Sequence, residues 1–276
     1  MKIMDVVRDF EGKSNSERRS LVKRYLSKNK IKFIGEQFSV FGVPRENIIV
    51  ELGKGKDEII LSAHYDKVLG SPGANDNASG VACLLYIADK LRKRRSKNRL
   101  KVIFFDAEEG IPPFTYCIGS EKYVEKHGTS NLIGAYNLEM VGNGDMIGIW
   151  SVLDKDTDDP VLKTLISAIK KGKLRYDTGS SKSIFASDHL SFRRAGFRSA
   201  YSLTALRSEE KNKIKQFIAH SPFESIMIYL FEGRKLPSLL RTYHNRHDKS
   251  SLLSEKTLKN VADVVFEAAL RLDKTA

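Results

Sequence analysis

The 276-residue chain has few cysteines and no long apolar run. Cys83 and Cys117 are its only cysteines, too few for the disulfide framework that supports small secreted domains. No hydrophobic stretch approaches the roughly 20 residues of a membrane-spanning helix. The opening residues, MKIMDVVRDFEGKS, are charged throughout and do not resemble a secretory signal. We therefore expect two reduced thiols, a cytoplasmic protein and no membrane partner.

Acidic residues are scarce relative to basic ones. The chain has 47 Lys and Arg against 34 Asp and Glu, which gives a formal net charge of +13. The cations are dispersed except for the run RKRRSK at 92–97, which follows an apolar helical pattern. Cations stabilise the C-terminal end of a helix, so the run indicates a solvated helix end, and we expect no nucleic-acid partner. The surplus charge favours acidic partners through long-range attraction.

Strand and helix patterns alternate along the chain. Strands are predicted at 31–40, 46–52, 59–63, 102–105, 132–138, 146–153 and 198–204. Helices are predicted within 1–30 and at 81–91, 121–124, 160–171 and 255–272. Such alternation is typical of an α/β fold in which helices flank a sheet on both faces. We predict one domain over 1–276 with a central mixed, mostly parallel sheet, and for 205–242 a lid or a homo-oligomer interface.

Polar residues follow the buried strands at their carboxyl ends, where α/β sheets bind ligands. The strand at 102–105 runs into Asp106, Glu108 and Glu109, and a buried carboxylate needs a metal, a proton or a base. A solvated acidic loop is the alternative interpretation.

The strand at 59–63 ends in His64-Tyr65-Asp66. Residues i and i+2 of a strand face the same way, and a metal-bound histidine usually donates its second N–H to a carboxylate. Asp66 is placed for that role, although His–Asp pairs are also common at surfaces. Asp76 stands where a polar loop meets a helix, for which an N-cap aspartate is the alternative.

The strand ends of such a sheet gather along one edge. The residues we expect to converge there are His64, Asp76, Glu108, Glu109, Glu139 and His244. Histidines and carboxylates suit Zn²⁺ or a similar divalent ion. The acids are too many for one tetrahedral site, whereas two ions roughly 3.5–4 Å apart would use them.

Six ordered motifs resemble the M28 family of zinc aminopeptidases and their relatives, the glutaminyl cyclases. The motifs are H-x-D at 64–66, G-A-N-D-N-A-S-G at 73–80, D-A-E-E-G at 106–110, N-L-E-M-V-G at 137–142, S-D-H at 187–189 and Y-H-N-R-H-D at 243–248. The resemblance runs from about residue 58 to the C-terminus. It implies a zinc-peptidase fold, a peptide substrate and zinc as cofactor, with two ions favoured and one ion as the alternative.

The resemblance also implies a set of metal ligands. His64 and Glu139 would bind one metal ion, His244 and Glu109 would bind the other, and Asp76 would bridge them. Glu139 departs from the family, whose usual residue at that place is Asp, and this leaves metal preference open. His247 matches no ligand pattern and is interpreted as a surface or supporting residue.

The catalytic roles follow from the same resemblance. Glu108 would be the general base and Asp66 would orient His64. Tyr243 corresponds to a tyrosine that polarises the scissile carbonyl in some family members, with ordinary packing as the alternative. The S-D-H segment at 187–189 lies near the site in the family. The segment 111–118 is longer than the family's common form and is predicted to reshape the substrate pocket.

Two other functions compete with the aminopeptidase. A glutaminyl-peptide cyclotransferase would use one zinc ion to activate the γ-amide of an N-terminal glutamine. Cyclases usually carry D-D-H where this chain has S-D-H, which ranks them second. A non-catalytic binding relative is the third function, but such relatives lose ligands, whereas each ligand position here holds a competent residue.

Overall fold

A computed structural model describes residues 2–110, 116–153, 156, 158–180, 187–220, 224, 227, 228, 231 and 236–275. Its strands are β1 Ile34–Val40, β2 Val43–Leu52, β3 Glu58–His64, β4 Arg99–Phe105, β5 Leu132–Leu138, β6 Met146–Trp150, β7 Arg175–Gly179 and β8 Ala200–Leu206. Its helices are α1 Ile3–Phe10, α2 Asn15–Lys28, α3 Ser79–Leu91, α4 Ile118–His127, α5 Pro160–Lys171, α6 His189–Arg194, α7 Lys211–Ala219, α8 Ser238–Thr242 and α9 Glu255–Thr275. Within these residues no helix is both long and apolar enough to cross a membrane.

All eight strands form one sheet in the order β1-β2-β4-β3-β5-β8-β6-β7. The four central strands β4, β3, β5 and β8 are parallel, so their carboxyl ends share one edge. Antiparallel pairs join β1 to β2, β2 to β4 and β8 to β6. The predicted fold class, one α/β domain with a mixed, mostly parallel sheet, is confirmed.

Helices cover both faces of the sheet because its central strands are apolar on both sides. Ile59 and Leu61 of β3 pack with residues of α1, α2, α3, α5 and α9. The intervening Ile60 points to the other face and packs with residues of α4 and α6. Side chains of successive strand residues alternate between faces, which explains why β3 carries three consecutive apolar residues, Ile59, Ile60 and Leu61, rather than an alternating pattern.

Several strand predictions differ from the structure; β1 begins at Ile34 rather than at residue 31, and β8 spans Ala200–Leu206 rather than 198–204. The hairpin turn after β1 is only Phe41-Gly42, because both residues take positive φ and β2 starts at Val43. β6 ends at Trp150, three residues earlier than predicted. β7 was missed because its sequence, RYDTG, shows no apolar alternation, as fits a strand at the edge of the sheet.

The described part of 205–242 contains α7 and α8, which pack beside β6 and β8 in two small apolar clusters. Ile214 of α7 and Leu239 of α8 contact the cluster that holds Met146 and Trp150. The lid or interface role remains a prediction, and several residues of this segment lie outside the described ones.

Candidate metal centre

Three buried side chains reach one point from the carboxyl ends of neighbouring strands. His64 is the last residue of β3, Glu139 directly follows β5, and Glu108 lies three residues after β4. His64 Nε2 is 3.4 Å from both carboxylate oxygens of Glu139 and 3.9 Å from Glu108 Oε2. The parallel pairing of β4, β3 and β5 creates this convergence.

Asp76 lies between two histidines that come from distant parts of the chain. It belongs to the segment Ala74–Ala78 that leads into α3, and its own backbone is non-helical, with φ of −111° and ψ of 91°. Its Oδ1 is 3.2 Å from His64 Nε2, and its Oδ2 is 3.4 Å from His244 Nε2. The same His244 nitrogen is 2.9 Å from Glu109 Oε2. Asp76 thus faces both histidines and does not cap α3, whose N-cap residue is Ala78, and its role as a metal bridge stays a prediction.

The ligand atoms form two triads that share Asp76. In each triad, defined as His64–Asp76–Glu139 and Asp76–Glu109–His244, one atom of every residue lies within 4.8 Å of the others. The residues that the resemblance assigned to two ions thus lie together in the corresponding sets. A third, overlapping group joins His64 to Glu108 and Glu109.

The donor set fits divalent metal ions. Asp76 Oδ2, Glu109 Oε1 and His244 Nε2 are buried and make no hydrogen bond of good geometry with the described residues, although His244 Nε2 lies 2.9 Å from Glu109 Oε2. Buried polar atoms without partners are costly, and atoms left in this way in one place indicate a ligand. Imidazole nitrogen and carboxylate oxygen are ligands that Zn²⁺ accepts. The residues present would hold two ions through the two triads.

The acids and histidines of the site shift one another's pKa values. Burial, together with the neighbouring acids, raises the pKa of Glu108 well above its usual range and that of Glu109 to about 7. Burial opposes the charged form of His64, yet the carboxylates of Glu139 and Glu108 raise its pKa well above the ordinary value. The acids and imidazoles thus compete for protons, and metal binding to such a site releases them.

Asp66 connects β3 to the loop after β4. Its Oδ1 is 3.4 Å from His64 Nδ1, and its two oxygens accept the backbone N–H groups of Glu108 at 3.2 Å and Glu109 at 3.1 Å. The same His64 nitrogen lies 3.2 Å from the backbone O of Asp66, so Asp66 contacts a candidate ligand through both its backbone and its carboxylate, and its carboxylate also holds the backbone of the two glutamates. The orienting role that the resemblance implied for Asp66 stays a prediction.

Asp248 supports the same centre, and sequence reasoning missed it. Its buried carboxylate accepts the backbone N–H of Asn75 at 2.7 Å and of Asp76 at 3.0 Å. The signal was available, since Asp248 closes the motif Y-H-N-R-H-D that begins one residue before His244. Asp248 ties the turn that carries His244 to the loop that carries Asp76.

Glu139 is held by two further residues without a predicted role. Ser187 Oγ donates to Glu139 Oε2 at 2.7 Å, and Asn77 Nδ2 donates to the same oxygen at 3.4 Å. Ser187 belongs to the S-D-H segment, which explains why that segment approaches the site. His189 instead turns to Ser151 Oγ, 2.8 Å from its Nε2.

Tyr243 stacks on a candidate ligand. Its ring lies 3.5 Å from that of His244, centroid to centroid, at an angle of 25°. Burial and the nearby acids raise its pKa well above the ordinary value, so it keeps its phenolic proton at neutral pH. The phenol of Tyr243 is therefore a hydrogen-bond donor next to His244. Its role toward substrate stays a prediction.

Two further predictions near the site concern His247 and the segment 111–118. His247 is exposed and belongs to neither triad, as expected of a surface residue. Of the long segment 111–118, residues 111–115 lie outside the described ones, so its effect on the pocket stays a prediction. Its described end contains Cys117, whose thiol lies 3.6 Å from Glu108 Oε1.

Comparison with known proteins gives one family and a group of solved structures. The model of "Peptidase family M28" matches residues 47–269. The aminopeptidase YwaD of Bacillus subtilis is 31% identical over 182 residues, which are 63% of this chain and 37% of that protein.

Two solved structures show the likeness of fold. The zinc aminopeptidase BSAP of Bacillus subtilis superposes with a TM-score of 0.64 at 25% identity, over 84% of this chain and 51% of its own. A glutaminyl cyclase of Porphyromonas gingivalis gives a TM-score of 0.72 at 16% identity, over 99% and 96% of the two chains. The chain therefore spans 37% of the length of YwaD and about half of BSAP.

Proposed function

The chain belongs to peptidase family M28, and from that premise we propose that it is a metal-dependent aminopeptidase that hydrolyses the N-terminal bond of peptides. The observation that carries the proposal is the pair of ligand triads sharing Asp76. Two histidines and three carboxylates fit two divalent ions, and zinc is the metal named for the related aminopeptidase structure. We propose two zinc ions.

The catalytic roles follow from the chain's own groups. Ions held by the triads would supply Lewis acidity toward the scissile carbonyl and the attacking water. Glu108 accepts the proton of that water and returns it to the leaving amine, a role that suits a carboxylate whose pKa is raised by burial. Tyr243 donates a hydrogen bond to the carbonyl oxygen as negative charge develops on it.

The test compares the two adjacent glutamates. We expect Glu108→Gln to retain the zinc content of the wild type and to lose about 10²–10⁴-fold in kcat, because only the base is removed. Glu109→Gln should instead lower the zinc content, because it removes a ligand. Zinc is measured by elemental analysis and activity with a panel of aminoacyl reporter substrates. Normal activity of Glu108→Gln would refute the base assignment.

A glutaminyl-peptide cyclotransferase is the second candidate, favoured by the full-length likeness to the Porphyromonas gingivalis enzyme. A likeness at 16% identity concerns the fold alone, and the second triad around His244 favours the two-ion peptidase. A peptide that begins with glutamine distinguishes the two reactions. Release of free glutamine supports hydrolysis, whereas ring closure with release of ammonia supports the cyclase.

A further inference from the structure

Arg18 is a fully buried cation in α2, outside the residues that match the family. Burial of a guanidinium is costly unless its donors are well satisfied. Burial lowers its pKa to about 10, so it remains charged at neutral pH. A charged residue at 0% exposure close to the metal centre requires an explanation.

The guanidinium binds backbone carbonyls on both sides of one segment. Its Nη1 donates to Tyr65 O at 3.2 Å, and its Nη2 donates to Pro72 O at 3.0 Å and Gly73 O at 2.5 Å. Tyr65 directly follows His64, and Gly73 precedes Asp76 by three residues. Arg18 therefore clamps residues 65–73, the segment that connects two candidate metal ligands.

The fit between Arg18 and this segment is close. Gly73 has φ of +68°, and a Cβ added to it would lie 2.4 Å from Arg18 Nη2. A glycine is needed there both for the left-handed backbone and for the approach of the guanidinium. Any side chain at residue 73 would therefore displace the guanidinium of Arg18 from its position.

The four carboxylates whose charge acts on the guanidinium belong to the metal centre or its support, namely Asp76, Asp248, Asp66 and Glu109. Its described hydrogen bonds nevertheless all go to carbonyls rather than to these acids. Arg18 therefore acts on the site through the backbone that it binds rather than through direct pairs with these acids.

We propose that Arg18 is a positioning residue of the metal centre, which holds residues 65–73 so that Asp76 stays between His64 and His244. The inference rests on the proposed function, since it presumes that the triads bind metal. Helix α2, which carries Arg18 and lies outside the residues 47–269 matched by the family model, would then help to set the geometry of the site.

A purely electrostatic role for Arg18 predicts the opposite effect. A fixed cation near the site would repel a metal ion, so its removal would tighten metal binding. A clamp predicts that removal weakens binding, because Asp76 loses its position. The sign of the change in affinity therefore separates the two roles.

The experiment measures metal binding directly. Zn²⁺ is titrated into chelator-treated full-length protein, and Co²⁺ absorption reports the coordination geometry. We expect Arg18→Met to weaken Zn²⁺ binding by about 10–100-fold and to change the Co²⁺ spectrum, as is typical when a residue that supports ligands is lost. Arg18→Lys keeps the charge but not the fork of donors, and should fall between Arg18→Met and the wild type.

Arg19→Met is the matched control. This substitution removes the same charge from the next residue of α2, whose side chain is 31% exposed and lies 3.8 Å from Glu46. Its Zn²⁺ affinity and Co²⁺ spectrum should equal those of the wild type. If circular dichroism shows that Arg18→Met is unfolded, the Zn²⁺ affinity and Co²⁺ spectrum of Arg18→Lys test the proposal instead.

Different results would refute the proposed function and the positioning role of Arg18. A wild type that binds neither Zn²⁺ nor Co²⁺ would refute the proposed function. A wild type that binds both, beside a folded Arg18 variant of equal or higher affinity, would overturn the positioning role and leave the proposed function intact.

Discussion

At the scale of single residues, the site depends on Asp76. Its two oxygens face different histidines, so each triad uses one of them. Burial opposes its charge, but contacts with His244 and His64 lower its pKa below the usual range of a carboxyl. Asp76 is therefore ionised, and its two oxygens could each face a separate cation.

His244 is the only nitrogen ligand of its triad. We expect His244→Ala to lower the bound zinc from two ions to one, because the triad around His64 stays complete. Elemental analysis after dialysis against trace zinc measures the stoichiometry. His247→Ala is the control, since His247 is exposed in the same turn and should leave the zinc content unchanged. Two ions bound by His244→Ala would show that the second triad is not a metal site.

At the scale of elements, α6 is placed by a buried ion pair. Asp156 is 3% exposed and accepts hydrogen bonds from Leu153 N at 3.0 Å, from Arg193 of α6 at 3.4 Å and from Arg198. α6 begins two residues after Ser187, which donates to Glu139. The ion pair therefore supports one ligand of the site through the position of a helix.

We expect Asp156→Asn to lower the free energy of unfolding by about 1–3 kcal/mol at pH 7, because buried charge-assisted hydrogen bonds are lost. Burial opposes the charged form, but the Leu153 N–H and Arg198 lower the pKa of Asp156 below its ordinary 3.8. The stabilisation is therefore complete above pH 3.8 and is lost as pH falls through the lower folded-state value.

Urea unfolding of wild type and variant over a series of pH values tests this dependence. The difference in unfolding free energy should be constant near neutrality and shrink in acid. Asp158→Asn is the control, because its side chain is 94% exposed and its removal should change stability little. A difference that grows toward low pH would contradict the role given to Asp156.

At the scale of the whole molecule, metal binding and folding are coupled. The centre gathers five carboxylates, those of Asp66, Asp76, Glu108, Glu109 and Glu139, at one edge of the sheet. Their mutual repulsion opposes the folded state, and bound cations would relieve it. The folded protein should therefore bind metal far more tightly than the unfolded chain.

We expect removal of metal by a chelator to lower the midpoint of thermal unfolding, and added Zn²⁺ to restore it. At a free zinc concentration 1,000 times the dissociation constant, the stabilisation is about 4 kcal/mol per site. Calorimetry across a zinc series measures the effect. A midpoint that is independent of zinc would mean that the triads do not bind it in the folded state.

Local patterns were sufficient for much of the fold. The helix at 160–171 and the strand at 132–138 have the predicted bounds, because each has a clear apolar period and an unambiguous end. β7 was missed because an edge strand buries too little to require apolar residues. The turn after β1 was misplaced because Val43 and Pro44 extend the pairing of the hairpin.

Which side chains are available for metal chemistry could be predicted from the order of residues alone, since residue type is a local property. The position of Asp76 between His64 and His244, the bonds from its backbone to Asp248 and the contacts of Arg18 with residues 65–73 could not be predicted in that way. These contacts join residues far apart in the chain. Their distances follow from how strands pair and helices pack, which no single stretch of sequence contains.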